Sequence, residues 1–152
     1  MDRKILFRGV DVETGKWLYG GYAVIEPPPV CVKGDDETQE PAKPCIVTEK
    51  GFADWGMPRQ YGMAEVIPST IGQYTGLTDK NGTKIFEGDI VEGANFTPDG
   101  DGYGVVRYDD GAFEITCNDI YGTFHENYWG YDFEVIGNIH DNPELLGGAD
   151  NG

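Results

Sequence analysis

The chain has 152 residues, enough for one compact domain or two small lobes, and 27 acidic against 11 basic side chains, a net charge of −16. That charge argues against a nucleic acid partner, while 39% hydrophobic and 12% aromatic residues argue against a disordered acidic tail and are too scattered for a membrane span. Twenty-three glycines and nine prolines point to short strands joined by many turns.

In chain order, KILFRGVD leads through a turn at ETGK into WLYGGYAVI. Two β-prone runs around a glycine-containing connection predict a hairpin, with Trp17, Tyr19 and Val24 helping to build a core. Residues 27–44, PPPVCVKGDDETQEPAKP, carry five prolines and an acidic cluster, so they cannot donate a regular ladder and read as an exposed excursion. CIVTE (45–49) is a return strand, GFADWGMPRQYG is irregular and MAEVI is again extended.

Residues 69–92 hold STIGQYTGL, TDKNG and TKIFEGDIVE, with Asn81-Gly82 between two β-prone runs. That dipeptide predicts a type I′ turn, in which both central residues need positive φ. NFTPDGDGYG (95–104) reads as a loop and GVVRYDD (104–110) as a strand, with Gly111 closing a second turn into AFEITC. In that run Phe113, Ile115 and Cys117 face one way and Glu114 and Thr116 the other, the period that buries one sheet face. YGTFHENYWGYDFEVIGNI supplies one or two more strands, interrupted at Gly122 and Gly130. DNPELL, with Asn142 as cap and Pro143 at the first helical position, predicts one closing turn of helix.

No segment sustains a 3.6-residue apolar period, which excludes a helical bundle. The expected fold is therefore mainly β with little helix. An N-terminal β-hairpin and sheet region (1–68) precedes an SH3-like barrel lobe (69–146) and a tail (147–152), all within one unit.

The stretches RKILFRGVDVETGKWLYGGY, VIPSTIGQYTGLTDKNGTKIFEGDIV, GVVRYDDGAFEI and FEVIGNIHDNPELL, in this order over most of the chain, resemble the YopX family of phage and prophage proteins. The match is literal in QYTGLxDKNGxxIFEGDIV and EVIGNIHDNPELL. The resemblance implies a β-rich fold with an SH3-like barrel portion and a bacteriophage or prophage origin. It brings no catalytic residues with it.

Candidate chemistry is sparse. Cys31, Cys45 and Cys117 form neither a CxxC pair nor an even disulfide set, and read as reduced thiols, with Cys117 in the core. No apolar run follows the charged start MDRKILFRG, so no secretory signal is expected, and residence in the bacterial cytoplasm is. The single serine, Ser69, lies in IPSTIG rather than GxSxG. Asp99-Gly-Asp101-Gly resembles a calcium loop, but an EF-hand frame from Asn95 ends on Val106 instead of a bidentate Glu. His125 and His140 have no cysteine at zinc-ligand spacing, and their neighbours Glu126 and Asp141 fall on the opposite face of a strand. GDGYG lacks the Lys and helix start that hold a phosphate. No enzyme activity, cofactor or metal is expected.

Two features remain. Residues 1–76 carry 8 basic and 11 acidic side chains, whereas residues 77–152 carry 3 and 16, so the second half holds −13 of the charge. Between 121 and 133, six aromatic residues crowd into thirteen positions, more than one strand face of a small barrel can bury. Tyr121, Phe124, Tyr128, Trp129 and Tyr131 are accordingly the expected interaction surface for a protein partner or a second copy. The alternative is an acidic decoy that imitates DNA phosphates to occupy a host DNA-binding protein. No nucleic acid or membrane partner is expected.

Overall fold

The computed structural model describes residues 3–27, 40–50, 60–97, 100–117, 120–123 and 133–146. Antiparallel strands dominate, and the helical pieces among the described residues are the short 3-10 turns Pro68–Thr70 and Pro143–Leu145. The expectation of a mainly β protein therefore holds. The chain divides into two compact units, one of Leu6–Ile71 and one of Gly72–Gly152 with Met1–Ile5.

The first unit is a meander of β1 (Phe7–Val10), β2 (Trp17–Ile25), β3 (Lys43–Lys50) and β4 (Gln60–Glu65), in the spatial order β4-β3-β2-β1. The expected β1–β2 hairpin is present, and Asp11 closes its turn. The Asp11 carboxylate accepts the Glu13 N–H and the Thr14 hydroxyl, each at 2.9 Å, while Gly15 takes φ +69°. These bonds, the Glu13 N–H first, hold the Asp11 carboxyl below its usual pKa.

The sheet curls until its outer strands meet at one point. Asp11 bridges Val66, the Val12 N–H donates to the Glu65 carbonyl at 3.0 Å, and the Ile67 N–H donates to the Val10 carbonyl at 2.8 Å. Thr70 pins this seam, since its Oγ1 accepts the Val10 N–H at 2.9 Å and donates to the Ile67 carbonyl at 2.6 Å. Ile46 and Val66 are fully buried. Gly9 makes room for Val66, because a Cβ there would lie 3.0 Å from its side chain.

Two expectations fail in this unit. Tyr19 and Val24 are exposed at 51% and 46%, and of the three proposed core residues only Trp17 is partly buried, with the Arg8 guanidinium 4.8 Å from its ring centre. Five residues apart on one strand, Tyr19 and Val24 lie on opposite faces of β2, so no single core layer could bury both. The excursion also ends earlier than composition suggests: Lys43 and Pro44 belong to β3, opposite Ile25 and Val24.

The second unit contains β5 (Gly72–Thr78), β6 (Lys84–Phe86), β7 (Asp89–Thr97), β8 (Gly100–Asp109), β9 (Ala112–Cys117), β10 (Ile120–Thr123) and β11 (Glu134–Asn138). β5 and β6 form a hairpin, and the others form a sheet of order β10-β9-β8-β7-β11. A last strand that returns beside the first of a meander is consistent with the SH3-like lobe expected here. Period-two alternation sends Val91, Val106 and Ile115 to one face, where they pack with Ile85 and Phe133. Phe113 packs against this cluster on the face assigned to it, with the Tyr108 ring 5.1 Å away. The Cys117 side chain lies outside the described residues.

The turns differ from the sequence reading. The loop expected at 95–104 is largely strand: Thr97 pairs with Gly100 and Gly93 with Gly102, with an irregularity between them. Gly93 serves packing here, because a Cβ would come within 2.8 Å of the Phe133 ring. Asn81-Gly82 does form a hairpin turn, but not type I′. Gly82 has φ +83° while Asn81 does not enter the positive region. The Gly82 N–H donates to the Asp79 carbonyl at 3.0 Å and the Asp79 N–H to the Thr83 carbonyl at 2.8 Å. That is a three-residue loop whose last residue is left-handed, one of the common hairpin closures. The two-residue turn with both φ positive lies instead at Asp110 (+46°) and Gly111 (+83°), between the paired Asp109 and Ala112.

Three smaller departures follow. TKIFEGDIVE is not one strand, for Glu87 and Gly88 turn between β6 and β7. Gly122 lies inside β10, paired with Ile115, and does not interrupt it. Pro143 begins a 3-10 turn as placed, but Asn142 makes no side-chain cap.

Candidate functional site

Two buried acids that the sequence did not single out brace the backbone. Asp79 is 7% exposed. Its Oδ1 accepts the N–H groups of Asn81 and Thr83, each at 2.8 Å, and its Oδ2 accepts the Val135 N–H at 3.1 Å. Burial opposes ionisation of this carboxyl, but the N–H donors of Val135, Thr83 and Asn81 outweigh it and hold the pKa below the usual Asp value. Around it, the Lys80 N–H donates to the Phe133 carbonyl at 2.9 Å, and Lys80 Nζ pairs with Glu134 Oε2 at 2.7 Å.

Asp89, only 2% exposed, does similar work one turn later. Its Oδ2 accepts the Phe86 N–H at 2.8 Å across the bend where Gly88 takes φ +87°. Gly88 then ties three segments together: its N–H donates to Val106 and its carbonyl accepts from Ile139. Asp79, Gly82, Gly88 and Asp89 of TDKNGTKIFEGDIV thus each take part in turn closure.

The NIHDN segment is also a closed local network. Asn138 Oδ1 accepts the N–H groups of His140 and Asp141 at 3.0 and 2.9 Å, and Asn138 Nδ2 donates to Asp141 Oδ2 at 3.0 Å. The Asn142 N–H returns to the Asn138 carbonyl at 2.9 Å, and Asn142 Oδ1 sits where a Cβ on Gly137 would be only 2.5 Å away. This inward turn of its side chain is why Asn142 does not cap the following helix. Among the described residues no cluster of three or more His, Cys, Asp or Glu could hold a metal ion. Cys45 is buried, and burial first, with Glu65 nearby, raises its thiol pKa, so it is not an activated nucleophile.

The expected interaction surface lies largely outside the described residues. Tyr121 lies in β10 opposite Thr116, with its side chain outside the described residues. Phe124, Tyr128, Trp129 and Tyr131, with His125, lie outside the described residues altogether. Phe133, the next ring along, is buried in the core.

An exposed apolar pair that sequence reasoning missed is on β4. Tyr61 is 65% and Met63 57% exposed. Met63 lies across the sheet from Val47 and Gly21, and Tyr61 from Glu49. Met63 and Tyr61 share one face, since they are two residues apart on a strand. The outer side of β4 pairs with no other strand among the described residues. Their alternation with Gly62 and Ala64 was the available signal, but QYGMAE is too short and too weakly apolar to show which face would be covered.

Residues 6–147 match the family described as "YopX protein". Among solved structures, the crystal structure of protein EF1440 from Enterococcus faecalis is similar at 27% identity, covering 94% of this chain and 98% of that one, with a TM-score of 0.46. No curated protein is a match. With the family match running over nearly the whole length of the chain, this protein belongs to the YopX family.

Proposed function

We propose that this chain is a non-enzymatic accessory protein of a bacteriophage or prophage, acting inside the bacterial host by binding another protein or a second copy of itself. The observation that carries the reading is the exposure of Tyr61 and Met63 side by side on an outermost strand. Tyr and Met are enriched at protein interfaces, where they supply large contact area. The buried acids support it from the other direction, because Asp79 and Asp89 are engaged by backbone N–H groups and are not set out for a substrate. Tyr121, Phe124, Tyr128, Trp129 and Tyr131 remain the second candidate surface, on their sequence alone.

The test is capture of partners from host lysate by the immobilised full chain at low and high salt, with Tyr61→Lys beside the natural sequence. Retention of a partner through high salt and its loss with Tyr61→Lys would support an apolar contact on β4. Binding that collapses with salt and ignores Tyr61→Lys would move the function to the acidic half, as a decoy requires.

A further inference from the structure

The β4 edge carries a more specific inference, which rests on the interaction reading above: we infer that β4 docks against β4 of a second copy of this chain, antiparallel, with Tyr61 of each copy opposite Met63 of the other.

The backbone supplies the first argument. The Val66 N–H donates to the Pro44 carbonyl, so Val66 points its backbone groups toward β3. Alternation along an antiparallel ladder turns those of Ala64 and Gly62 the same way and those of Glu65, Met63 and Tyr61 outward. The Glu65 carbonyl confirms the direction, since it accepts the Val12 N–H on the far side from β3. That contact ends the free edge. Tyr61 and Met63 are left with outward N–H and carbonyl groups and exposed side chains at the same two positions.

A two-fold axis through Gly62 uses all of them. Tyr61 then exchanges a pair of backbone hydrogen bonds with the other copy's Met63, and Met63 with the other copy's Tyr61. Gly62 faces Gly62 at the non-hydrogen-bonded position, where strands come closest. The sulfur-to-ring contact on the exposed face is favourable in its own right. No other residue needs to change.

Charge supplies the second argument. A chain of net −16 resists self-association over most of its surface, yet residues 60–64, QYGMA, hold no charged side chain. Natural edge strands that must stay single are guarded by lysine, proline or a bulge. This strand has no lysine or proline, and its register with β3 is unbroken from Cys45–Glu65 to Lys50–Gln60. A strand pair alone buries less area than a standard interface, so the dimer belongs at the weak, concentration-dependent end.

The experiment is sedimentation equilibrium of the full chain over a roughly hundredfold concentration range, which moves a weak dimer equilibrium by mass action. Natural protein is expected to rise toward twice the chain mass. Tyr61→Lys and Met63→Pro are expected to weaken the association at least about tenfold, the latter because it removes an outward N–H and no β3–β4 bond. Amide hydrogen exchange on the natural protein serves as a readout independent of whether the variants fold. The Tyr61 and Met63 amides should exchange fast when dilute and become protected when concentrated. A natural protein that stays monomeric throughout, a dimer that survives both substitutions, or exchange at Tyr61 and Met63 that ignores concentration would each overturn the inference. A monomeric chain that still loses a lysate partner with Tyr61→Lys would overturn the second copy and leave the interaction reading standing.

Discussion

Asp79 Oδ2 accepts the backbone N–H of Val135 at 3.1 Å, so a carboxylate in the β5–β6 turn sets the entry of a strand 56 residues further along. Its other oxygen closes its own turn through Asn81 and Thr83. One side chain therefore couples local turn geometry to the return of β11 beside β7. This is a tertiary role for an acid that sequence reading leaves as part of a hairpin.

Asp79→Ala strands three N–H groups at a nearly buried site and should cost about 3 kcal/mol, measured by urea unfolding. The pH dependence has a definite sign. The folded-state pKa is lowered from 3.8, so the stabilisation is complete above that value and is lost as pH falls through the lower folded value. In the variant this acid loss should shrink. An unchanged acid midpoint would show that other carboxylates control it.

The two turns should respond differently to substitution. Gly82→Val puts a β-branched residue at φ +83° and should cost about 1–3 kcal/mol. Asn81→Ala should cost little by backbone strain, because Asn81 does not adopt positive φ. At the other turn both residues do. Asp110→Gly should be neutral or mildly stabilising there, whereas Gly111→Val should cost about 1–3 kcal/mol. Melting temperatures of the four variants decide the matter, and equal losses at Asn81 and Gly111 would contradict the assigned geometry.

Gly93→Ala should destabilise by about 1–3 kcal/mol despite adding one methyl group, since that group would lie 2.8 Å from the Phe133 ring. Phe133→Leu frees space for it. The double variant should therefore lose less than the sum of the two single losses, a non-additivity readable in a thermodynamic cycle.

Replacing residues 28–39 by a short Gly/Ser linker should leave cooperative unfolding intact. Ile25 pairs directly with Lys43, so the β2–β3 ends already lie side by side and a short connection can span them. Extending the deletion through Lys43 and Pro44 should damage the sheet, because both residues sit in β3. Differential scanning calorimetry of the two deletions would separate loop from strand.

Much of the scaffold was legible from the chain alone. Turn chemistry at ETGK and at TDKNG, and the period-two run Phe113, Glu114, Ile115, are local signals, and the structure places a hairpin or a half-buried strand at each. The strands at GVVRYDD and AFEITC and the 3-10 turn begun by Pro143 follow the same logic.

What stayed hidden depends on contacts between residues far apart. Gly102 reads as a loop residue because glycine disfavours strands, whereas in the structure it pairs with Gly93, over which the Phe133 ring packs. Tyr19 and Val24 read as core because they are apolar, yet they project to opposite faces of β2, Tyr19 with Arg8 and Val24 two residues from the Tyr22–Ile46 pair, and both stay exposed. The β4 edge is the same kind of case. Composition specifies which residues can be buried, whereas sheet curvature and strand order decide which of them are, and so Tyr61 and Met63 became visible as a surface only in three dimensions.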